Sequence, residues 1–151
     1  MLRIGMESSM KHVTIFFSFL LLLGVVGLIA QQGSSLEVVS LGLHDEAGMD
    51  VSGKIVRPSS HLTLEMKYNR RGFPKEILTT LEIQLFDTQG NVLLQDKLDR
   101  PPLEGTRKDS YKIDIPRDAQ GKFLVVLTLR VSQGDQIFSE VTKTVPFDVS
   151  I

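Results

Sequence analysis

The residues best suited to bind a metal ion or to catalyse a reaction are neighbours in the sequence, His44-Asp45-Glu46. Asp50 follows shortly after them. Closely spaced carboxylates are calcium ligands, and an imidazole beside a carboxylate is a zinc ligand pair. The chain has neither a twelve-residue calcium loop nor an HExxH motif. A polar turn that leaves a strand accounts for the same residues. His44, Asp45 and Glu46 are therefore weak metal candidates, and we predict no metal site and no cofactor.

Other catalytic arrangements are missing from the sequence. It contains no cysteine, no GxSxG elbow and no glycine-rich phosphate loop. We therefore predict that the chain is not an enzyme. A small metal-dependent hydrolase that uses the His44 cluster with His61 is one alternative. A carbohydrate-binding module is another, but Tyr68 and Tyr111 are predicted to face inward, which leaves no row of exposed aromatic rings.

Alternating apolar and polar residues predict strands that are buried on one face only. The alternation is clearest at residues 62–69, 81–85 and 111–115. The run 123–127 is apolar at every position, which predicts a central strand covered on both sides. Pro146 predicts an edge position or a bulge in the last strand. Weaker patterns predict further strands at 36–43, 51–56, 92–98 and 137–149.

Turn residues at 87–91, 118–121 and 133–136 separate these segments. Seven or eight short strands of this spacing predict an all-β fold, an antiparallel β-sandwich, with a small closed barrel as the alternative. The segment 115–126, IPRDAQGKFLVV, resembles the end of immunoglobulin-like and fibronectin type III-like modules. In those modules a proline-ended strand and a Gly-x-aromatic turn lead into the penultimate strand. The resemblance covers residues 60–150 and implies an immunoglobulin-like fold, without implying an activity.

Residues 13–30 form an uncharged apolar run, VTIFFSFLLLLGVVGLIA, that follows Arg3 and Lys11. As a hydrophobic helix it would be about 27 Å long, slightly less than the hydrocarbon core of a bilayer. A cleaved signal peptide and a retained transmembrane anchor both fit, and either puts the C-terminal domain outside. Translation could start at Met1 or Met10. We predict a cytoplasmic n-region at 1–12, the signal or anchor at 13–30, a linker at 31–35 and the β-sandwich at 36–151.

The charge balance excludes nucleic acid as a partner. The segment from Gln31 onward carries 15 basic and 17 acidic residues, whereas nucleic-acid-binding domains are strongly basic. We predict an extracytoplasmic, non-catalytic binding or assembly module of the cell envelope. Its partner would be another envelope protein, and residues 13–30 would contact the membrane if they are not cleaved.

Two segments are predicted to contact that partner. The first is the polar loop 69–77, with Arg70, Arg71 and Phe73, although a loop phenylalanine can also fold back on the core. The second is the strand 139–145, where a partner could add a strand and where Glu140, Thr142 and Lys143 are candidate contacts. Glu140 and Lys143 could equally protect this edge from pairing.

In an immunoglobulin-like strand order the loops fall at two poles. One pole would carry the loops 69–77, 99–109 and 133–136, and the other the loops 44–50, 87–91 and 116–121.

Overall fold

The computed structural model describes residues 33–151, which form eight β-strands and no helix. The predicted segments 1–12 and 13–30 and the first part of the linker lie outside the described residues. The strands are β1 (Ser35–His44), β2 (Ile55–Val56), β3 (His61–Arg71), β4 (Thr79–Phe86), β5 (Val92–Arg100), β6 (Gly105–Asp114), β7 (Gly121–Gln133) and β8 (Gln136–Val149).

Residues 33–151 include no helix long and apolar enough to span a membrane.

The strands form two sheets that pack as a sandwich. The three-stranded sheet has the order β1-β3-β6, and the five-stranded sheet has the order β2-β8-β7-β4-β5. All pairings are antiparallel except the short parallel pairing of β2 with the end of β8. The predicted antiparallel sandwich is therefore confirmed for residues 35–149, and the closed barrel is wrong.

The core consists of the inward residues of both sheets, as the period-two pattern predicts. In β3 every second residue is buried from Leu62 to Tyr68, and β7 does the same from Phe123 to Val131. The rings of Phe123 and Phe147 stack with centroids 5.6 Å apart. Each large apolar side chain that is buried in this way contributes about 1.5–3 kcal/mol.

Two predicted strands differ from the structure. In the segment 51–56 only Ile55–Val56 is a strand, because Gly53 has φ +69° and the Lys54 amide donates to the Val51 carbonyl at 2.9 Å, which closes a turn. The central strand β7 is not covered on both sides by the described residues. Leu124 and Val126 point away from the core and are partly exposed.

The strand directions place the connections at two poles. Loops 72–78, 101–104 and 134–135 lie at the first pole with the start of β1, and loops 45–54, 87–91 and 115–120 lie at the second. This division agrees with the prediction, but the first-pole loops are shorter than expected. The difference arises because β3 continues to Arg71 and β5 continues to Arg100.

Candidate functional site

The His44 cluster does not converge on one point. The carboxylate of Asp45 accepts hydrogen bonds from the Ala47 and Met49 amides, both at 2.9 Å, so it stabilises its own turn. His44 lies on the outer face of β1, where its Nδ1 is 3.8 Å from the Glu65 carboxylate. Within residues 33–151 no three His, Asp or Glu side chains are grouped to hold a metal ion. The polar-turn interpretation of this segment is therefore the better one.

His61 begins β3 and forms an exposed pair with Asp114. Its Nδ1 is 2.7 Å from the Asp114 carboxylate, and both side chains are more than half exposed. This hydrogen bond raises the pKa of His61 above its ordinary value. A shallow cavity of about 440 Å³ beside it is lined by Glu46, Ser59 and His61, among other residues. In the described part of the chain no serine hydroxyl forms a hydrogen bond with the His61 ring.

Arg70 and Phe73 are buried, so the structure contradicts an exposed position for either side chain and bears out the alternative in which Phe73 folds back on the core. Arg70 belongs to β3, is 1% exposed, and donates to the Thr79 hydroxyl and to the Pro74 carbonyl, each at 2.9 Å. Its guanidinium lies 5.6 Å from the centroid of the Phe73 ring, which is folded back on the protein. Arg71, the last residue of β3, is exposed as predicted.

The position of Arg70 has a local cause. Residues of β3 alternate between the two faces, and Arg70 falls on the inward face with Met66 and Tyr68. Desolvation lowers the pKa of its guanidinium. No carboxylate in residues 33–151 forms a salt bridge with it. Arg70 thus anchors the loop 72–78 and is not displayed to a partner.

Strand β8 is an edge strand over most of its length. It pairs with β7 on one side, and on the other side β2 covers only Asp148 and Val149. Pro146 lacks an N–H, and its carbonyl accepts from the Gly53 amide at 2.7 Å, so its backbone points away from β7. The predicted edge position of Pro146 is confirmed. A bulge also occurs in β8, at Phe138, because Ile137 pairs with Ser132 while Ser139 pairs with Val131.

The direction of the Pro146 carbonyl shows which backbone N–H and C=O groups of β8 point away from β7. Residues two apart in a strand point their N–H and C=O groups to the same side. The backbone groups of Glu140, Thr142 and Thr144 therefore point to the open edge. Strand β1 belongs to the other sheet and packs close to β8 without pairing with it, and within residues 33–151 nothing else bonds to these three amides.

The side chains of this edge have different orientations. Glu140 accepts from Arg130 at 2.6 Å, and Thr142 bonds to Thr128 at 3.2 Å, so both are tied to β7 on the outer face. Lys143 is in register with buried Leu127 and therefore points to the inner side of the sheet, yet it is exposed. A charge in this position is a common protection against unwanted strand pairing.

Two features were missed by the sequence analysis. One is a polar cluster inside the sandwich, where Asp109 accepts from the Tyr68 hydroxyl at 2.8 Å and from Arg100 at 3.1 Å. Burial and this carboxylate raise the pKa of Tyr68. The signal was present, because period two puts Asp109 on the same face as Tyr111 and Ile113. The other is an apolar band on the outer face of the five-stranded sheet, which the two-sided apolar run 123–127 indicated.

Comparison with solved structures shows the fold. The chain is similar to the C-terminal domain of wzt, with a TM-score of 0.54 and 10% identity over 77% of this chain and 74% of that domain. It also matches an immunoglobulin-like protein from Pseudomonas aeruginosa (TM-score 0.39, 18% identity, 77% of this chain and 97% of that one). A glycosyl hydrolase family 2 member from Bacteroides cellulosilyticus matches with a TM-score of 0.35 and 8% identity over 74% of this chain and 14% of that one.

No family model matches the sequence, and no curated protein matches it either. The strand order and the structural likeness together define an immunoglobulin-like β-sandwich. The resemblance predicted from residues 115–126 is confirmed at the level of the fold.

Proposed function

We propose that this protein is a non-catalytic binding or assembly module of the cell envelope whose partner is another protein. The immunoglobulin-like fold supports a binding role, because such sandwiches present edges and loops on a rigid scaffold. The metal candidate Asp45 supports it too, since its carboxylate accepts hydrogen bonds within its own turn. The apolar run at residues 13–30 would export the domain or anchor it, with residues 36–151 outside the cytoplasm.

The observation that carries this proposal is the open edge of β8. Glu140, Thr142 and Thr144 offer a row of N–H and C=O groups without a partner in residues 33–151. An extended segment of another protein can bind there by adding a strand, and its main-chain hydrogen bonds then supply affinity. Three edge residues provide up to six such hydrogen bonds, each worth about 0.5–1.5 kcal/mol net.

Lys143 would give this edge its selectivity. It points to the inner side of the sheet beside the open edge and has no salt bridge within residues 33–151. A partner segment with Asp or Glu beside Lys143 would form an ion pair with the lysine. An apolar segment would bury the charge of Lys143 without a counter-charge, which costs desolvation free energy. The partner is therefore an extended acidic segment, and the same lysine discourages pairing with other edges.

The test compares two substitutions of one residue. Thr142→Pro removes the outward N–H while leaving the hydrogen bonds between β7 and β8 intact, because residue 142 does not donate to β7. Thr142→Ala removes the same side-chain contact with Thr128 and keeps the N–H. Each full-length variant is expressed in the native envelope, crosslinked and analysed for its partner by mass spectrometry. Melting temperatures confirm that both variants fold.

We expect Thr142→Ala to keep the crosslinked partner of the parent chain and Thr142→Pro to lose it by at least tenfold. Lys143→Glu should also reduce the yield, because it places like charges beside each other. Equal yields from the proline and alanine variants would contradict strand addition at β8. Loss of the partner only on substitution of Arg71 would assign binding to the first pole instead.

A further inference from the structure

Strand β5 forms the second edge of the five-stranded sheet, at the opposite end from β2 and β8. It pairs with β4 on one side, and within residues 33–151 no strand pairs with it on the other. The Lys97 amide donates to the neighbouring Asp96 carboxylate at 2.8 Å, so it points away from β4. Backbone groups of residues two apart in a strand point the same way. The N–H and C=O groups of Gln95, Lys97 and Asp99 therefore face the open side.

The side chains of this edge carry charges of both signs on both faces of the sheet. Lys97 and Asp99 are exposed on the outer face, in register with polar residues of β4. Asp96, Leu98 and Arg100 point to the inner face and are partly exposed. Both faces thus present one acidic and one basic residue at the edge.

The charges of the outer face have bonding capacity left within residues 33–151. Lys97 lies in register with Glu82 and forms no salt bridge, whereas Glu82 lies 3.8 Å from Arg130. Asp99 accepts from the Thr80 hydroxyl at 2.8 Å through one carboxylate oxygen. A further charged strand beside β5 would therefore find both Lys97 and Asp99 available.

The inner face is similar. Arg100 donates from Nε to Asp109 at 3.1 Å, and a guanidinium has further N–H groups for a second carboxylate. Asp96 accepts from the Tyr111 hydroxyl at 3.0 Å with one oxygen and from the Lys97 amide with the other. The bond to the Lys97 amide is the one that an added strand would replace.

We propose that a second copy of this chain adds its own β5 to this edge in antiparallel orientation, which joins the two five-stranded sheets into one. In such an isologous contact residue i meets residue j, and j meets i. The register that the charges select puts Leu98 opposite Leu98 of the second copy. Lys97 then lies opposite Asp99, and Asp96 opposite Arg100, in both directions. This inference goes beyond the proposed function, because β5 and β8 lie at different ends of the sheet.

No other register of this strand gives the same match. A pairing centred on a charged residue, such as Lys97, puts that charge opposite its own copy. Like charges directly opposite each other destabilise a strand pair, whereas opposite charges stabilise it. A pairing centred on Leu94 or Gln95 forms no ion pair. Only the pairing centred on Leu98 forms ion pairs, two on each face.

The same register also satisfies the open backbone groups. Lys97 and Asp99 both face the open side, so each Lys97 would exchange two hydrogen bonds with Asp99 of the second copy. The Lys97 amide leaves the Asp96 carboxylate, which then accepts from Arg100 of the second copy. In the free chain the Asp96 carboxylate caps the edge, and a strand with a cation in the matching position displaces it.

The experiment traps the dimer with a thiol on the two-fold axis, because about five residues per copy make a small and weak interface. The chain has no cysteine. In Leu98→Cys the two Cα atoms would lie about 4.5 Å apart, as in a non-hydrogen-bonded pair, which a disulfide spans. Leu94→Cys is the matched control on the same face of β5 and is also partly buried. Its two thiols would lie about 27 Å apart.

Charge reversal tests the register. Lys97→Glu and Asp99→Lys, each added to Leu98→Cys, place like charges opposite each other, and the double change restores opposite charges. Lys122→Glu, at an exposed position of β7, is the control. Full-length chains are oxidised in detergent solution, where two copies are free to adopt opposite directions. Sedimentation equilibrium of the charge variants without the thiol repeats the comparison independently of Leu98→Cys.

We expect Leu98→Cys to give at least fivefold more disulfide-linked dimer than Leu94→Cys. Each single charge reversal should lower this yield at least threefold, the double reversal should restore it, and Lys122→Glu should leave it unchanged. Equal yields from Leu98→Cys and Leu94→Cys would overturn the proposal. A yield that rises with Lys97→Glu would also overturn it, because the edge charges would then protect β5 from pairing.

Discussion

Replacing Arg70 with alanine removes the side chain that holds the loop 72–78 to the sandwich. Its two hydrogen bonds, to Thr79 and to the Pro74 carbonyl at 2.9 Å each, contribute about 1.5–3 kcal/mol apiece because the donor is charged. The contact with Phe73 at 5.6 Å adds about 0.5–2 kcal/mol. The cost of keeping a charge out of water, several kcal/mol, opposes both. We therefore expect Arg70→Ala to lower the free energy of unfolding by about 2–4 kcal/mol.

Urea denaturation of the full-length chain in detergent measures this change. Arg70→Met should be milder than Arg70→Ala by about 1–2 kcal/mol, because it fills the same space and carries no buried charge. Arg71→Ala is the matched control, because the Arg71 side chain is exposed and should contribute less than about 0.5 kcal/mol to the free energy of unfolding. Amide exchange in loop 72–78 should accelerate in Arg70→Ala alone. An Arg70→Ala protein as stable as Arg71→Ala would refute the assigned role of the buried guanidinium.

Three further predictions concern other hydrogen bonds. Tyr68→Phe keeps the buried ring and removes the bond to Asp109, so the free energy of unfolding should fall by about 1–2 kcal/mol in urea titration. Asp87→Ala removes the carboxylate that accepts the hydrogen bonds of the 87–91 turn. Because these hydrogen bonds lower the pKa of Asp87, they stabilise the fold only while Asp87 is ionised. The urea midpoint of the Asp87→Ala variant should therefore lie below that of the parent chain at neutral pH and approach it in acid. NMR should give His61 a pKa above 6.5 that Asp114→Asn reduces, and the stability that this pair adds should be present below pH 6.5 and disappear as the pH rises through the raised pKa.

Local patterns were sufficient to predict most strands. The alternation at residues 62–69 and 81–85 determines β3 and β4, because a one-residue shift would expose their entire apolar sets. The 87–91 turn was predictable as well, since Asp87 bonds to amides only two and four residues away. These features depend on residues close in sequence.

The errors arose where the packing of the whole fold decides the outcome. No pattern near Arg70 in the sequence indicates that its guanidinium is buried and donates to Thr79 and to the Pro74 carbonyl, although both lie within nine residues of it. The apolar run 123–127 suggested a strand with layers on both sides, but periodicity cannot tell whether a second layer belongs to the same chain. The open edge of β8 could be suspected from Pro146, whereas the direction of each N–H needed the register with β7.

Residue-resolved amide exchange on the β8 edge tests the proposed binding most directly. The amides of Glu140, Thr142 and Thr144 should exchange rapidly in the free chain, because they point away from β7. In complex with the crosslinked partner, the same three amides should become protected by at least tenfold. Unchanged exchange at all three, with new protection at the pole loops, would contradict strand addition at β8.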